Sequence, residues 1–448
     1  MHISLSEHFN YRKLLRFTFP SIIMMIFTSV YGVVDGLFVS NFVGKTPFAA
    51  INLIWPFLMI LGCGGFMIGT GGSALVSKTM GEGDSDKARR YFSLLVIVTV
   101  LLGVGITIPG LFLLEPVSIL LGADETMLPY CVTYGRIILI AQTAFMLQGV
   151  FQSFLVTAER PTLGLIVTVG AGVTNMLLDL LFVGIFRWGI PGAALATAAS
   201  QVVGGIVPLI YFFFPNKSPL KLVLPKLSIG KSLRVVLRVC INGSSELLTN
   251  VSMSVVSMLY NYQLMRLAGE DGIAAYGVMM YVSFVFIAVF IGYSIGSAPI
   301  IGYHYGAGNH QELRSILHKS LILTAGAGVA MTALAAILSA PMSGVFVGYD
   351  DGLYDLTRRG FLLYAPSFVL AGFSIFGSSF FTALGNGPVS AAISFLRTLL
   401  FQIVAVLLLP IPLGIDGVWL SVSVAELLSL LVTVFFLVKL RKKYQYGS

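Results

Sequence analysis

The 448-residue sequence predicts an all-α membrane protein: twelve transmembrane helices in two six-helix bundles, related by a pseudo-twofold axis along the membrane normal. Three observations predict this fold, namely an apolar composition, twelve long apolar segments joined by loops of alternating charge, and an internal repeat. Hydrophobic residues make up 57% of the chain and charged residues only 10%, whereas soluble domains carry about 25% charged residues. A chain with so few charges is expected to face hydrocarbon rather than water.

The apolar segments are long enough to cross a bilayer, which takes about 20 mostly apolar residues per helix. They follow one another at 15–39, 48–70, 91–113, 130–156, 163–185, 191–214, 235–265, 273–296, 316–339, 358–382, 388–409 and 415–438. Pro20 lies inside the first segment and removes a backbone hydrogen bond, so a kink is expected there. This kink is either a hinge or a static bend.

The loops between the segments alternate in charge. Most of the 27 Lys and Arg residues lie in loops on the side that also holds both termini. By the positive-inside rule, both termini are expected in the cytoplasm of a multi-pass protein of the bacterial inner (plasma) membrane. The net charge of +8 comes from these loops. The lipid bilayer is therefore the expected partner, and no nucleic-acid partner is predicted.

The two halves of the chain repeat each other at an offset of 225 residues. Val43–Ala50 matches Ala268–Ala275 at this offset. The same shift aligns Gly81 with Gly306, Pro116 with Pro341 and Gly189 with Gly414. Each repeat has six spans, an even number, so both halves enter the membrane in the same orientation. Transporters built this way bind substrate between their halves and rock them for alternating access.

The repeat predicts three parts of the chain. They are an N-terminal bundle at 1–215, a cytoplasmic linker at 216–234 and a C-terminal bundle at 235–448. One chain contains both halves, so it is expected to function as a monomer. The alternative is that the duplication is only a structural scaffold.

Ionisable residues inside spans are candidates for function, because a charge at mid-helix costs about 2.5–3.5 kcal/mol on insertion scales. Asp35, Asn175, Asp179 and Thr197 lie at similar depth in the first half, and Asn175 and Asp179 share a helix face. Two carboxylates, an amide and a hydroxyl suit Na⁺ as a metal ligand set. They suit a proton equally well. The alternative is that both carboxylates end near the headgroups and are solvated.

Further polar residues lie in other spans. Glu246 attracts a cationic substrate or carries a proton, or else caps polar neighbours. Arg397 and Glu426 are expected to form a structural buried pair. Gln148 and Gln152, one turn apart, line a substrate cavity or hydrogen-bond between helices.

Motifs for enzymatic chemistry are missing from the sequence. It contains no G-x-x-x-x-G-K-[ST] phosphate loop, no H-E-x-x-H and no G-x-S-x-G. ATP hydrolysis, metalloprotease and hydrolase chemistry are therefore not expected, and no cofactor beyond a coupling ion is predicted.

Over essentially its whole length the chain resembles the multidrug and toxic compound extrusion (MATE) family, most closely its DinF-type bacterial branch. The resemblance rests on a loop pattern at Gly72–Gly81 and Ala298–Ala307, on Val33–Gly36 and on Asn175–Asp179. It implies export of organic cations and drugs in exchange for Na⁺ or H⁺. It also implies the roles of individual residues: a cation site at Asp35, Asn175, Asp179 and Thr197, a kinking proline at Pro20 and an acidic residue of the seventh helix at Glu246. The tenth-helix acid of the NorM-type branch is absent, which makes a second cation site doubtful.

The sequence therefore predicts a cation-coupled exporter of small-molecule drugs or organic cations. One alternative is a flippase for lipid-linked oligosaccharides of the same superfamily, which should have a cationic central cavity. The other is a membrane receptor or scaffold that transports nothing, in which neutral replacement of the buried acids would be tolerated.

Overall fold

The computed structural model describes residues 3–225, 228–348 and 350–447, in which helices are joined by turns and no strand occurs. Of Leu37, Ser40 and Lys45 only the backbone is described. The first half contains α1 (Tyr11–Phe42), α2 (Lys45–Gly81), α3 (Ser85–Leu120), α4 (Leu128–Ile140), α5 (Gln142–Thr157), α6 (Pro161–Asp179) and α7 (Ile190–Phe213). The second half contains α8 (Ile229–Gly306), α9 (His310–Val347), α10 (Asp351–Tyr364), α11 (Ser367–Ala383), α12 (Gly387–Phe395), α13 (Phe401–Leu408), α14 (Pro410–Leu413) and α15 (Ile415–Lys439). Two π-helical turns follow α6 and α12, at Leu180–Ile185 and Leu396–Leu400.

The helices account for the twelve predicted spans. In the part of the chain that the structure describes, nine helices are long and apolar enough to cross a membrane. Two bent pairs, α4 with α5 and α10 with α11, each add one span. The twelfth arises because the 78-residue α8 contains two spans. The prediction of a twelve-helix membrane protein is confirmed.

The fourth and tenth spans are bent, whereas the sequence predicted continuous helices there. The α4–α5 pair bends by 57° and the α10–α11 pair by 46°. Pro366 precedes α11, and a proline disfavours helical geometry at the residue before it. Ala141, at the equivalent position (366 − 225 = 141), marks the first bend without a proline.

A single glycine divides α8 into two arms, 229–268 and 270–306. Gly269 has a φ of 63° and a ψ of −146°, a conformation that L side chains rarely adopt. Its repeat partner Gly44 (269 − 225 = 44) has a φ of 115° and separates α1 from α2. The two arms of α8 therefore correspond to α1 and α2, as the repeat requires.

The glycine-rich segments Gly72–Gly81 and Ala298–Ala307, which the sequence predicted as loops, are mostly helical: they form the last turns of α2 and of α8, which end at Gly81 and Gly306. The two ends cross closely. A Cβ on Gly81 would meet the backbone of Tyr303, and one on Gly306 would meet the backbone of Lys78. Both pairs are related by the repeat (306 − 81 = 225 and 303 − 78 = 225), so the crossing itself has pseudo-twofold symmetry.

Among the residues that the structure describes, the hydrophobic cluster shared by the two halves lies at one end of the molecule. We call the side on which Tyr11 begins α1 and Lys439 ends α15 the terminal side, and the opposite side the far side. Near the terminal side one cluster includes side chains of both halves, among them Phe92, Phe154, Ile300 and Phe380. Towards the far side each half has clusters of its own. The halves therefore meet at the terminal side and separate towards the far side.

Two segments of chain run along the terminal side. Between α7 and α8, Pro219–Val223 packs on α3, where the Arg89 Nε donates to the Pro219 carbonyl at 2.9 Å. The predicted linker at 216–234 includes residues 226 and 227, which lie outside the described residues, and its last six residues belong to α8. The segment before α1 contacts both halves through Glu159 and Glu312.

Candidate functional site

A polar cluster lies inside the first half, where α1, α6 and α7 pack together. The Asp35 side chain of α1 faces those of Asp179 and Asn175 of α6. Asn175 and Asp179 are four residues apart, so both point to the same side of the helix. Thr197 of α7 lies close to Tyr134, which in turn interacts with both carboxylates. The structure therefore brings the four predicted cation-site residues into one region.

The cluster contains an unusual number of buried polar atoms without partners. Asn175 and Asp179 are 1% and 0% exposed. Within the described residues, six buried side-chain atoms make no hydrogen bond: Asp35 Oδ1, both amide atoms of Asn175, both carboxylate oxygens of Asp179 and Thr197 Oγ1. Buried polar groups in proteins nearly always have a partner, so this cluster fits a bound ion or proton.

The local helix geometry also marks this region. A π-helical turn, Leu180–Ile185, begins directly after Asp179, and such turns are frequent at functional sites. No three His, Cys, Asp or Glu side chains in the described ranges form a group that could hold a metal ion. The polar groups gathered here are two carboxylates, an amide and a hydroxyl, whose oxygens are the hard ligands that Na⁺ prefers.

A separate cavity of about 360 Å³ lies mainly in the second half. Its walls come from α8, α11, α12 and α15, with Met25 and Ser29 of α1 and Thr70 of α2 on the side of the first half. Most of the polar lining consists of Ser, Thr and Tyr hydroxyls. Glu246 lines the cavity, and its carboxylate makes no hydrogen bond or ion pair within the described residues. A cation that enters would meet an uncompensated carboxylate in an apolar surrounding.

Arg397 and Glu426 line the same cavity as a closed ion pair. The Arg397 Nε donates to both carboxylate oxygens of Glu426, at 3.0 and 2.9 Å, and Nη2 lies 2.9 Å from Oε1. Their side chains are only 14% and 5% exposed. The predicted buried pair is confirmed, and it leaves Glu246 as the unpaired charge of the cavity.

Other predicted residues lie elsewhere. Gln148 and Gln152 of α5 are both buried, at 8% exposed, and neither is among the residues that line the cavity. Gln148 packs against Gly204 of α7, which agrees with interhelical packing. Pro20 lies within α1, and its role as a hinge stays a prediction.

Sequence reasoning missed the tyrosines of both sites. Tyr31 and Tyr134 lie beside Asp35, and Tyr260 lines the cavity, where its hydroxyl donates to Gln402 at 2.7 Å. The repeat contained a signal for Tyr260, because it is the counterpart of Asp35 (260 − 225 = 35). Because this residue is a tyrosine, the second half has no carboxylate at the position that corresponds to Asp35.

Comparison with known proteins agrees with this architecture. The multidrug export protein MepA of Staphylococcus saprophyticus is 22% identical over 435 residues, covering 97% of this chain and 94% of MepA. A MATE-family multidrug resistance transporter solved in an outward-facing conformation superposes with a TM-score of 0.92 at 22% identity. A MATE structure in a straight conformation gives a TM-score of 0.91, also at 22% identity. Both superpositions cover 99% of this chain and 98% of the other, and they show that the fold is shared.

The family model named MatE matches twice, at residues 20–181 and 247–408, and so covers most of the chain. The two matches lie in the two halves that the repeat relates. With its twelve spans in two bundles, the chain belongs to the MATE family of membrane transporters.

Proposed function

We propose that this protein is a secondary active multidrug efflux transporter, which exports organic cations or amphipathic drugs in exchange for H⁺ or Na⁺. It would act in the bacterial plasma membrane, with the terminal side in the cytoplasm. In this proposal, residues 1–215 and 235–448 are the two bundles that rock against each other, and residues 216–234 are the linker between them. The DinF-type branch also stays a prediction.

The observation that carries this proposal is the separation of two acidic sites. The first half holds the buried carboxylate of Asp179 and the half-buried carboxylate of Asp35, both with buried oxygens that lack a hydrogen-bond partner within the described residues. The second half holds a cavity with the unpaired carboxylate of Glu246. Substrate and coupling ion would therefore occupy different places. Antiport then requires that occupation of one site changes the affinity of the other.

Helix α1 is the structural element that can connect the two sites. It carries Asp35 in the polar cluster and, six residues earlier, Ser29 in the cavity wall. At 1.5 Å per residue, these two positions are about 9 Å apart along the helix. Binding of a cation at Asp35 would bend or shift α1 and so change the cavity. Pro20 in the same helix weakens its hydrogen bonding and would make such a change easier.

The packing of the halves supports an outward-open state under this orientation. In the described part of the chain, the hydrophobic cluster that both halves share lies near the terminal side, so the cavity would open to the outside. A flippase for lipid-linked oligosaccharides would instead need a cationic cavity. Here the guanidinium of Arg397 is neutralised by Glu426, and Glu246 leaves the lining with a net negative charge.

The test is efflux of ethidium or norfloxacin from cells that express wild type, Asp35→Asn or Asp179→Asn, under separately imposed Na⁺ and proton gradients. Asp355→Asn serves as the matched control, because Asp355 is an exposed residue of α10 outside both sites. Efflux should require Asp35 and Asp179 but not Asp355, and one of the two gradients should drive it.

Retention of both dyes by wild-type cells at the level of the empty vector would count against drug export. Full efflux by Asp35→Asn and Asp179→Asn would instead show that the polar cluster does not couple ion binding to drug export. Purified protein that moves a fluorescent lipid-linked sugar across vesicles would favour the flippase.

A further inference from the structure

A second groove lies at the terminal side of the second half, far from the cavity around Glu246. Its volume is about 560 Å³. It lies between the first turns of α9 and the segment that follows α15, and its lining consists of Gln311, Arg314, Ser315, Leu317, His318, Leu321, Arg441, Tyr446 and Gly447. Tyr446 holds that segment in place, since its hydroxyl donates to the Leu437 carbonyl at 2.8 Å and its ring packs edge-on against Phe380.

The lining is basic and uncompensated. Arg314, His318 and Arg441 contribute cationic or donor groups, and the described residues that line the groove include no Asp or Glu. Within the described ranges, none of these three side chains makes a hydrogen bond or an ion pair. The nearest acid on α9, Glu312, points away and binds Phe9 and His8 instead. Two guanidinium groups and an imidazole therefore face the groove without a partner.

The first half shows what such a position can bind. Arg314 and His318 correspond to Arg89 and Ser93 in the repeat (314 − 225 = 89 and 318 − 225 = 93). Arg89 donates from its Nε to the Pro219 carbonyl at 2.9 Å, and the Ser93 hydroxyl accepts from the Val223 amide at 2.8 Å. In the first half, the segment between the bundles thus supplies hydrogen-bond partners for Arg89 and Ser93 on α3. The same place on α9 faces the groove.

The order of residues along α9 separates a polar end of the groove from an apolar end. Helix α9 enters the membrane from the terminal side, beginning at His310. Arg314 and Ser315 lie in its second turn, whereas Leu317 and Leu321 follow deeper in the membrane. A ligand that fits would have an anionic head at the membrane surface and a hydrocarbon part below it. Basic pockets between helices at this depth are suited to acidic lipid headgroups.

We propose that this groove binds the phosphate group of an anionic membrane lipid. Arg314 and Arg441 bond the phosphate oxygens, since guanidinium groups match phosphate with paired hydrogen bonds. His318 donates a further hydrogen bond, and an acyl chain lies along Leu317 and Leu321. The bound lipid holds the start of α9 and the segment after α15 together. It occupies the place on α9 that Pro219–Val223 occupies on α3 in the first half.

The experiment is native mass spectrometry of the purified full-length protein in detergent, titrated with phosphatidylglycerol or with phosphatidylethanolamine of the same acyl chains. The test variant is Arg314→Gln/Arg441→Gln. The matched control is Arg12→Gln/Arg90→Gln, which removes two exposed charges from the same side but outside the groove. A third arm adds inorganic phosphate without lipid. Melting temperatures without lipid check that each variant is folded.

Wild type and control should retain phosphatidylglycerol in preference to phosphatidylethanolamine. The test variant should bind phosphatidylglycerol at least about tenfold more weakly, a change of about 1.4 kcal/mol. Equal binding of the two lipids by wild type, or equal loss in test and control variants, would overturn the proposal. Binding of inorganic phosphate in the third arm at an affinity comparable to that of phosphatidylglycerol would overturn the lipid proposal and reassign the groove to free phosphate. A test variant that does not fold is replaced by Arg314→Lys/Arg441→Lys, which should weaken binding because the paired hydrogen bonds are lost.

Discussion

Arg397 and Glu426 form a side-on ion pair in the wall of the cavity, with the Nε of Arg397 between both carboxylate oxygens of Glu426 at 3.0 and 2.9 Å. The pair joins the π-helical turn at Leu396–Leu400 to α15. Both side chains are nearly buried, so each charge depends on the other for compensation. Removing one partner leaves the other as a buried charge in the membrane.

Arg397→Met should therefore destabilise the protein by about 3–5 kcal/mol, whereas Arg397→Met/Glu426→Met should be close to neutral. Thermal unfolding in detergent measures both. The matched control is Arg359→Met, which breaks the more exposed pair with Asp416 and should change stability by at most about 1 kcal/mol. A double variant as unstable as Arg397→Met would show that the pair has a further role.

Closure of the halves at the terminal side depends on glycine at the helix crossing. Gly81→Ala places a Cβ against the backbone carbonyl of Tyr303, which cannot move aside as a flexible side chain can. We expect the halves to separate there and to approach each other at the far side. Electron–electron distance measurements between spin labels at residues 125 and 355, in a background without Cys63, Cys131 and Cys240, should give shorter distances.

The control for this prediction is Gly326→Ala in α9, where an added Cβ meets nothing within 4 Å. Its distance distribution should match that of wild type. An unchanged distribution in Gly81→Ala would mean that the crossing adjusts locally and does not control the opening of the halves.

The segment before α1 is held by carboxylates of both halves. Glu159 accepts from the Leu5 amide at 2.8 Å, and Glu312 accepts from the Phe9 amide at 2.9 Å. Glu312→Ala should release the second contact, lower the free energy of unfolding by about 1–3 kcal/mol and speed hydrogen exchange of the Phe9 amide. Glu82→Ala, which removes only an exposed 4.0 Å pair with Lys78, should leave exchange unchanged. Equal exchange in both variants would contradict this anchoring role.

The carboxylate of Glu246 should select for positive charge in substrates. Glu246→Gln keeps the size of the side chain but removes its charge, so the KM for export of a monocationic dye should rise about tenfold or more, equivalent to about 1.4 kcal/mol or more. Export of an uncharged amphipathic drug should change little. Glu125→Gln, in the exposed loop between α3 and α4, is the matched control. Equal loss for charged and uncharged substrates would indicate a structural role instead.

Much of the fold could be predicted because each span is a local property of the sequence. Twelve apolar segments matched twelve spans, and the 225-residue offset paired positions that the structure confirms as equivalent, such as Gly44 with Gly269. The bends near Ala141 and Pro366 were missed. Hydrophobicity measures how apolar a segment is and carries no information on its direction, so a bent span and a straight one look alike.

The candidate sites were predictable only in part. Asp35, Asn175 and Asp179 could be grouped because depth in the membrane follows from counting residues along a span. The cavity could not be predicted, since its charged residues Glu246, Arg397 and Glu426 come from different helical segments whose relative rotation is set by packing. The one-turn spacing of Gln148 and Gln152 would suit residues that line a cavity, yet Gln148 packs against Gly204.

Twelve membrane spans, two related halves and acidic residues within the spans of both halves could all be read from the amino-acid sequence. These follow from composition, loop charge and residue spacing, which act through the local free energy of transfer into lipid. Three further features emerge from the folded structure: the halves meet at the terminal side, Glu246 stays unpaired while Glu426 is bound by Arg397, and Arg314 and Arg441 face one groove. Those features depend on contacts between residues far apart in the chain, and only packing brings such residues together.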